Sequence, residues 1–197
     1  TMCIVPDLKP YSFIQNGNFE GTVADYMKLI STKTKLDYKF IKTETIDETI
    51  KFFQDKKCEI IASIPKVKER EKYMNFSKPY IDVSFAIVTK NDFNFIDDIS
   101  ILKDKKIAIS SKYAYIEILK KVYPSLSFVK VDNIDEGLKA VLHSKAFAYI
   151  DLVHTTMGIL QNNYLGKLKI SGKLDQTLPV SIAVTKNDKV LLSILNK

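Results

Sequence analysis

The chain has 197 residues, 46% hydrophobic and 27% charged, with a formal net charge of +7. That length suits one large domain or two small lobes, each with its own core. No apolar run approaches the ~18 residues of a membrane span. The lysines are interleaved with acids, as in Lys66-Val67-Lys68-Glu69-Arg70-Glu71-Lys72, and there is neither an aromatic-basic RNA signature nor zinc-finger spacing, so nucleic acid is not the expected partner.

The opening Thr1-Met2-Cys3-Ile4-Val5 is too short and uncharged for a signal peptide and reads as a first strand. Apolar periodicity then predicts strand 2–5, helix 21–34, strand 37–41, helix 46–55, strand 58–64 and helix 67–73. Val23, Tyr26, Met27 and Ile30 share one face of the first helix, and Thr45 with Glu48 forms a capping box for the second. The second half repeats the plan: strand 106–110, helix 113–122, strand 127–131, helix 134–142, strand 146–150, helix 152–161. Such alternation implies parallel strands covered by helices. Cys3 and Cys58 lack a CxxC spacing, so one disulfide and two free thiols both fit. His143 and His154 match no metal motif, and no cofactor is expected.

The halves also echo each other in residues. Ile46-Asp47-Glu48-Thr49-Ile50-Lys51 matches Ile134-Asp135-Glu136-Gly137-Leu138-Lys139, and the same offset pairs Ser63 with Asp151. Residues 84–92 resemble 181–188, one stretch leaving the first half and the other following the second. This predicts two strands crossing between two lobes: residues 1–88 with 180–197 as lobe 1, residues 89–179 as lobe 2, and hinges near 84–90 and 179–185. Open α/β sheets bind ligands beyond the carboxyl ends of their strands. The loop after Val5, the stretch 62–70 with Ser63 and Ile64, the stretch 110–115 with Ala114, and Asp151 are therefore expected around one cleft.

Of the 30 basic residues, Arg70 is the sole arginine. A guanidinium grips a carboxylate with two parallel bonds, which lysine cannot do. The alternative is a surface pair with Glu69 or Glu71.

Pro6-Asp7-Leu8-Lys9-Pro10-Tyr11-Ser12-Phe13, Gly21 through Asp25, KVKEREKYMNFSKPY from Lys66 to Tyr80, and the closing Leu191–Lys197 resemble the type II periplasmic solute-binding family, in its amino-acid-binding branch. The resemblance covers nearly the whole chain. It implies an α/β, two-lobed Venus-flytrap fold with two hinge crossover strands, outside the cytoplasm. The stretches EREKYMNFSKPY, VYPSLSFVKVDNIDEGLKAV and LLSILNK are more similar to the sensor domains of virulence-sensor type histidine kinases than to free transport proteins. That implies a receptor tethered to the membrane and a small carboxylate-bearing ligand, an amino acid or a relative of one; a homodimer is left open.

On this resemblance Arg70 receives the ligand carboxylate and Asp151 its ammonium, although Leu152 falls where the family's aspartate is counted from Ala148. The stacking aromatic falls at Leu8, with Tyr11 or Phe13 as substitutes. Pro65 stands at the family's serine and loses an N–H; Val67 stands at its threonine and loses a hydroxyl. Lys112 replaces the glycine that opens the helix at 113, whose N–H groups still suit an anion, and Tyr113 and Tyr115 offer aromatic surface. Either the ligand is not a standard α-amino acid or the site has decayed. The rivals to a sensor are a binding protein feeding a transporter and a dehydratase-like enzyme; the chain shows no nucleophile–base pair, so it is not expected to be an enzyme.

Overall fold

The computed structural model describes residues 1–5, 8–111 and 115–196. The chain divides into two units, Thr1–Asp82 with Pro179–Lys197, and Val83–Leu178. Unit 1 holds β1 (Met2–Ile4), β2 (Phe13–Gln15), β3 (Asn18–Glu20), α1 (Thr22–Thr34), β4 (Phe40–Lys42), α2 (Ile46–Gln54), β5 (Ile60–Pro65) and β6 (Met74–Phe76). The chain leaves it along β7 (Ile81–Lys90). Unit 2 then holds β8 (Lys106–Ser110), α3 (Tyr115–Val122), β9 (Ser127–Val131), α4 (Ile134–Leu142), β10 (Ala148–Leu152) and α5 (Val153–Asn163). It returns along β11 (Leu168–Thr185) and ends in α6 (Lys189–Leu195).

In unit 1, β1 lies between β4 and β5, parallel to both, and the last residues of β11 run antiparallel to β5 and β6. Strand alternation sends Met2, Ile4, Ile60 and Ala62 to one face, against Val23, Met27 and Leu195, and Cys3, Val5 and Ile61 to the other, against Phe53 and Met74. The register between β5 and β11 shifts between Ser181 and Ala183. The extra β5 residue is a bulge that returns Ile64 to the face of Ile61 and re-aims the strand's carboxyl end. Cys3 and Cys58 form a disulfide, both wholly buried.

Unit 2 repeats this plan. β8 lies between β9 and β10, parallel to both, and β7 runs antiparallel to β10. The offset that pairs Ile46 with Ile134 also pairs β5 with β10 and, through the registers Cys3↔Ile61 and Ala108↔Tyr149, pairs Cys3 with Ala108 and Cys58 with Ala146. Where unit 1 has its disulfide, unit 2 has two buried alanines in its core. The helices α2 and α4 start alike. Thr45 accepts from the Glu48 N–H at 3.1 Å and Asn133 from the Glu136 N–H at 2.9 Å, while Glu48 and Glu136 reach back to the N–H groups of Glu44 and Asp132.

Most expected elements lie within two or three residues of the observed ones. The helix expected at 67–73 is only a 3-10 turn, Arg70–Lys72. The strand expected at 146–150 is Ala148–Leu152, which puts Asp151 inside it.

Candidate functional site

The sheet of unit 1 ends in a buried cation. Beyond β5 the chain turns so that the Val67 carbonyl accepts from the N–H groups of Arg70 at 3.0 Å and Glu71 at 3.3 Å. The turn folds Arg70 back toward the strand, where its Nη1 donates to the Pro65 carbonyl at 3.0 Å. The Arg70 residue is 8% exposed. No carboxylate among the described residues lies within ion-pair range of it; Glu71 instead takes Lys66 at 2.9 Å. Burial pulls the guanidinium below its usual pKa, and Tyr73, Asp47 and Glu69 pull it back by charge attraction. A guanidinium carries five donors in a planar fork, so one bond to a carbonyl leaves most of them for a further acceptor.

The other expected residues of unit 1 fall into two kinds. Ser63 and Ile64 are buried in β5, Ile64 within the core, and Val67 is half-buried beside the turn. Tyr11 and Phe13 are half-buried, Tyr11 against the core that holds Met2, Ile4, Val23 and Met27, and Phe13 at the start of the β2–β3 hairpin with the Lys9 ammonium 5.1 Å from its ring centre. Pro10 and Tyr11 use their carbonyls to accept the first N–H groups of α1, from Thr22 and Val23. Gly21, with φ 103°, permits that approach: a Cβ there would lie 2.5 Å from the Pro10 oxygen.

In unit 2 Asp151 is fully buried. It accepts from the Tyr115 hydroxyl at 2.5 Å, from the Tyr149 hydroxyl, and from the Leu152 N–H at 2.7 Å. Burial pushes its carboxyl above the usual range, against the opposing pull of these donors. Tyr149 and Asp151 are two apart on β10 and so point to one face. The Tyr149 ring fills the space over α4 at Gly137, where a Cβ would come within 2.3 Å of it; this is why α4 carries glycine where α2 carries Thr49. Tyr115, expected as surface for a ligand, is 3% exposed and packs edge-on to Phe85 with ring centres 5.0 Å apart. The carboxylate expected to meet an ammonium is thus enclosed by donors of its own unit. Lys112, Tyr113 and Ala114 lie outside the described residues.

Among the described residues no cluster of three or more His, Cys, Asp and Glu side chains is placed to hold a metal, and no helix is long and apolar enough to cross a membrane.

The family model of bacterial extracellular solute-binding proteins, family 3, matches residues 1–197. This chain belongs to that family. The family 3 chain is 28% identical over 188 residues to the virulence sensor protein BvgS of Bordetella pertussis, covering 94% of the chain and 15% of that much longer relative. It superposes on the crystal structure of the BvgS periplasmic VFT2 domain from Bordetella pertussis with TM-score 0.83 at 25% identity, over 99% of this chain and 84% of that one. An ancestral arginine-binding protein bound to arginine matches with TM-score 0.73 at 25% identity, over 99% of this chain and 88% of that one. The α/β fold is the Venus-flytrap fold of the type II solute-binding proteins, and this family 3 domain is extracytoplasmic.

Proposed function

We propose that this chain is the extracytoplasmic ligand-binding sensor domain of a membrane-bound bacterial signalling receptor, and that it binds a small solute whose carboxylate is received by Arg70. The observation that carries this is the state of Arg70: a buried guanidinium with one bond to a carbonyl and no carboxylate partner among the described residues. Holding a cation so costs stability, and a ligand carboxylate taking two charge-assisted bonds repays it. The sensor role draws on the likeness to BvgS across almost the whole chain. Binding carries a signal only to the extent that ligand favours one conformation of the domain over another.

The test is a thermal-shift screen of small carboxylates against the wild type and Arg70→Ala. Every compound that stabilises the wild type is expected to lose the effect in the variant. Truncating one partner of a buried charge pair costs about 2–4 kcal/mol, roughly 30- to 1,000-fold in Kd. A shift that survives unchanged removes Arg70 from the site.

A second reading, a free binding protein that feeds a transporter, is favoured by the likeness to an arginine-binding protein. A transmembrane span and a signalling domain in the same open reading frame decide for the sensor.

A further inference from the structure

Unit 2 holds a cavity of about 350 Å³, and every residue that lines it belongs to that unit. A volume of this size suits a small molecule. It lies at the amino ends of the parallel strands, where Lys106 starts β8 and Phe147 precedes β10, the far end of the sheet from Asp151. β7 runs antiparallel to β10, so its last residues, Thr89 and Lys90, arrive at the same end. The loops around the cavity are held by their own backbone. Asp104 and Ser144 turn in the left-handed region, with φ 61° and 57°. The Lys105 N–H donates to the Leu102 carbonyl at 3.1 Å, the Lys145 N–H to Ala140 at 2.8 Å and the Phe93 N–H to Lys90 at 3.2 Å, while the Phe147 N–H donates to the Lys106 carbonyl at 2.8 Å and so joins two of the loops.

The charges around the cavity do not cancel. Lys90, Lys105, Lys106 and Lys145 stand against Asp92 and Asp104, four cations to two anions, and none of the six makes an ion pair among the described residues. Two of the ammonium groups are held in place all the same. Lys90 donates to the Ser144 hydroxyl at 2.6 Å, and Lys105 lies 5.6 Å from the centre of the Phe147 ring. Both partners are neutral, so they position the charge without cancelling it. The rest of the lining is apolar: Val141 and Ala146, both buried, and the rings of Phe93 and Phe147, packed edge-on with centres 4.8 Å apart. Unit 1 makes the same turn at Lys56, with φ 59°, but the repeat puts Glu59 there where unit 2 has Phe147. We propose that this cavity binds a small aromatic dianion. Two negative charges answer the excess of two positive ones, and the apolar lining calls for a body that a bare inorganic ion lacks. An ammonium is a point charge without the fork of a guanidinium, so carboxylate and phosphate groups both qualify. The site stands apart from Arg70, which belongs to unit 1.

The test is isothermal titration of phthalate and phenyl phosphate, with benzoate as the singly charged control and sulfate as the dianion without a body. The salt is held at about 150 mM, where exposed charges are screened beyond about 8 Å. Each probe is measured on the wild type and on Arg70→Ala, so that a carboxylate received at Arg70 is told apart. At least one aromatic dianion is expected to bind both proteins about tenfold more tightly than benzoate or sulfate, and the tighter of the two names the anionic group. The double variant Lys105→Gln, Lys106→Gln changes two exposed side chains and should weaken that binding about tenfold. Asp104→Asn keeps a residue that tolerates the left-handed turn and removes an acid, so it should tighten binding about threefold, a gain that mere damage to the loop would not give. Sulfate binding as tightly as the aromatic dianions means an adventitious ion only and overturns the proposal. It is overturned as well if benzoate matches phthalate and phenyl phosphate, if neither aromatic dianion binds, if the lysine variant binds unchanged, or if binding vanishes in Arg70→Ala.

Discussion

The two units share a plan and settle their buried groups in opposite ways. In unit 1 the sheet is stapled by Cys3–Cys58 and carries a cation that makes one side-chain hydrogen bond, to the Pro65 carbonyl, among the described residues. In unit 2 the equivalent positions are Ala108 and Ala146, and the buried charge is an aspartate held by donors of its own unit, among them the Tyr115 and Tyr149 hydroxyls and the Leu152 N–H. A satisfied polar network specifies a core and is costly to break, whereas a buried charge without an ion pair is a stability cost. The same fold thus holds one unit by a covalent bond while it carries a buried cation without an ion pair among the described residues, and holds the other by enclosing its charge.

The largest effect follows from the staple. The disulfide spans a sequence separation of 55 residues, for which the chain-entropy account gives about 4 kcal/mol. The double variant Cys3→Ala, Cys58→Ala is expected to lose about 3–4 kcal/mol in denaturant unfolding. Hydrogen exchange should show the loss in β1, β4 and β5 and spare β8, β9 and β10. Equal loss of protection in both sheets would break the contrast between a stapled and an unstapled unit.

Next comes the enclosed carboxylate. Asp151→Ala leaves two hydroxyls and one N–H without their acceptor in a wholly buried place, at a cost of about 3 kcal/mol. The triple variant Asp151→Leu, Tyr115→Phe, Tyr149→Phe removes both hydroxyl donors along with their acceptor. It is expected to recover more than half of that loss, as judged by urea melts of the single and triple variants. The pH dependence has a definite sign. Burial raises the Asp151 pKa in the folded state, so its contribution is fully present below the unfolded value, about 3.9, and is lost as pH rises through the folded one. The triple variant should therefore lose less stability than the wild type between pH 4 and pH 8.

Much of this contrast was legible in the sequence. The matched segments at 46–51 and 134–139 disclosed the repeat because capping boxes are local and written in adjacent residues. Arg70 stood out because twenty-nine lysines surround one arginine. The short strands β2, β3 and β6 were missed, since three residues hold no periodicity. The first part of β11 was missed as well: Gly172 and Pro179 lie within it, and both read as breaks. The surroundings of Asp151 depend on where its strand ends. Ending the strand at 150 leaves Asp151 in a loop, whereas Ala148–Leu152 keeps it in the strand, two residues from Tyr149 and on the same face. The pair at 149 and 151 was the available signal. The bond to Tyr115, 36 residues earlier, was not, since nothing local aims that hydroxyl.

The smallest expected effect divides the two units most sharply, because its sign differs. Arg70→Met keeps an unbranched apolar stem and removes the charge. Its bond to the Pro65 carbonyl is lost, but an under-satisfied carbonyl is better tolerated than an orphaned donor, and a buried cation with no ion pair among the described residues is relieved. The unliganded variant is expected to be more stable by up to about 1 kcal/mol, a rise in Tm of about 2–4 °C for a chain this size, while its response to carboxylates disappears. Replacing the buried ionisable side chain with an apolar one then raises stability in unit 1, whereas truncating its counterpart to alanine lowers it in unit 2. A fall of more than about 1 kcal/mol on Arg70→Met would make Arg70 a structural cation, serving its unit as Asp151 serves the other, and the edge of β5 would hold nothing in reserve for a ligand.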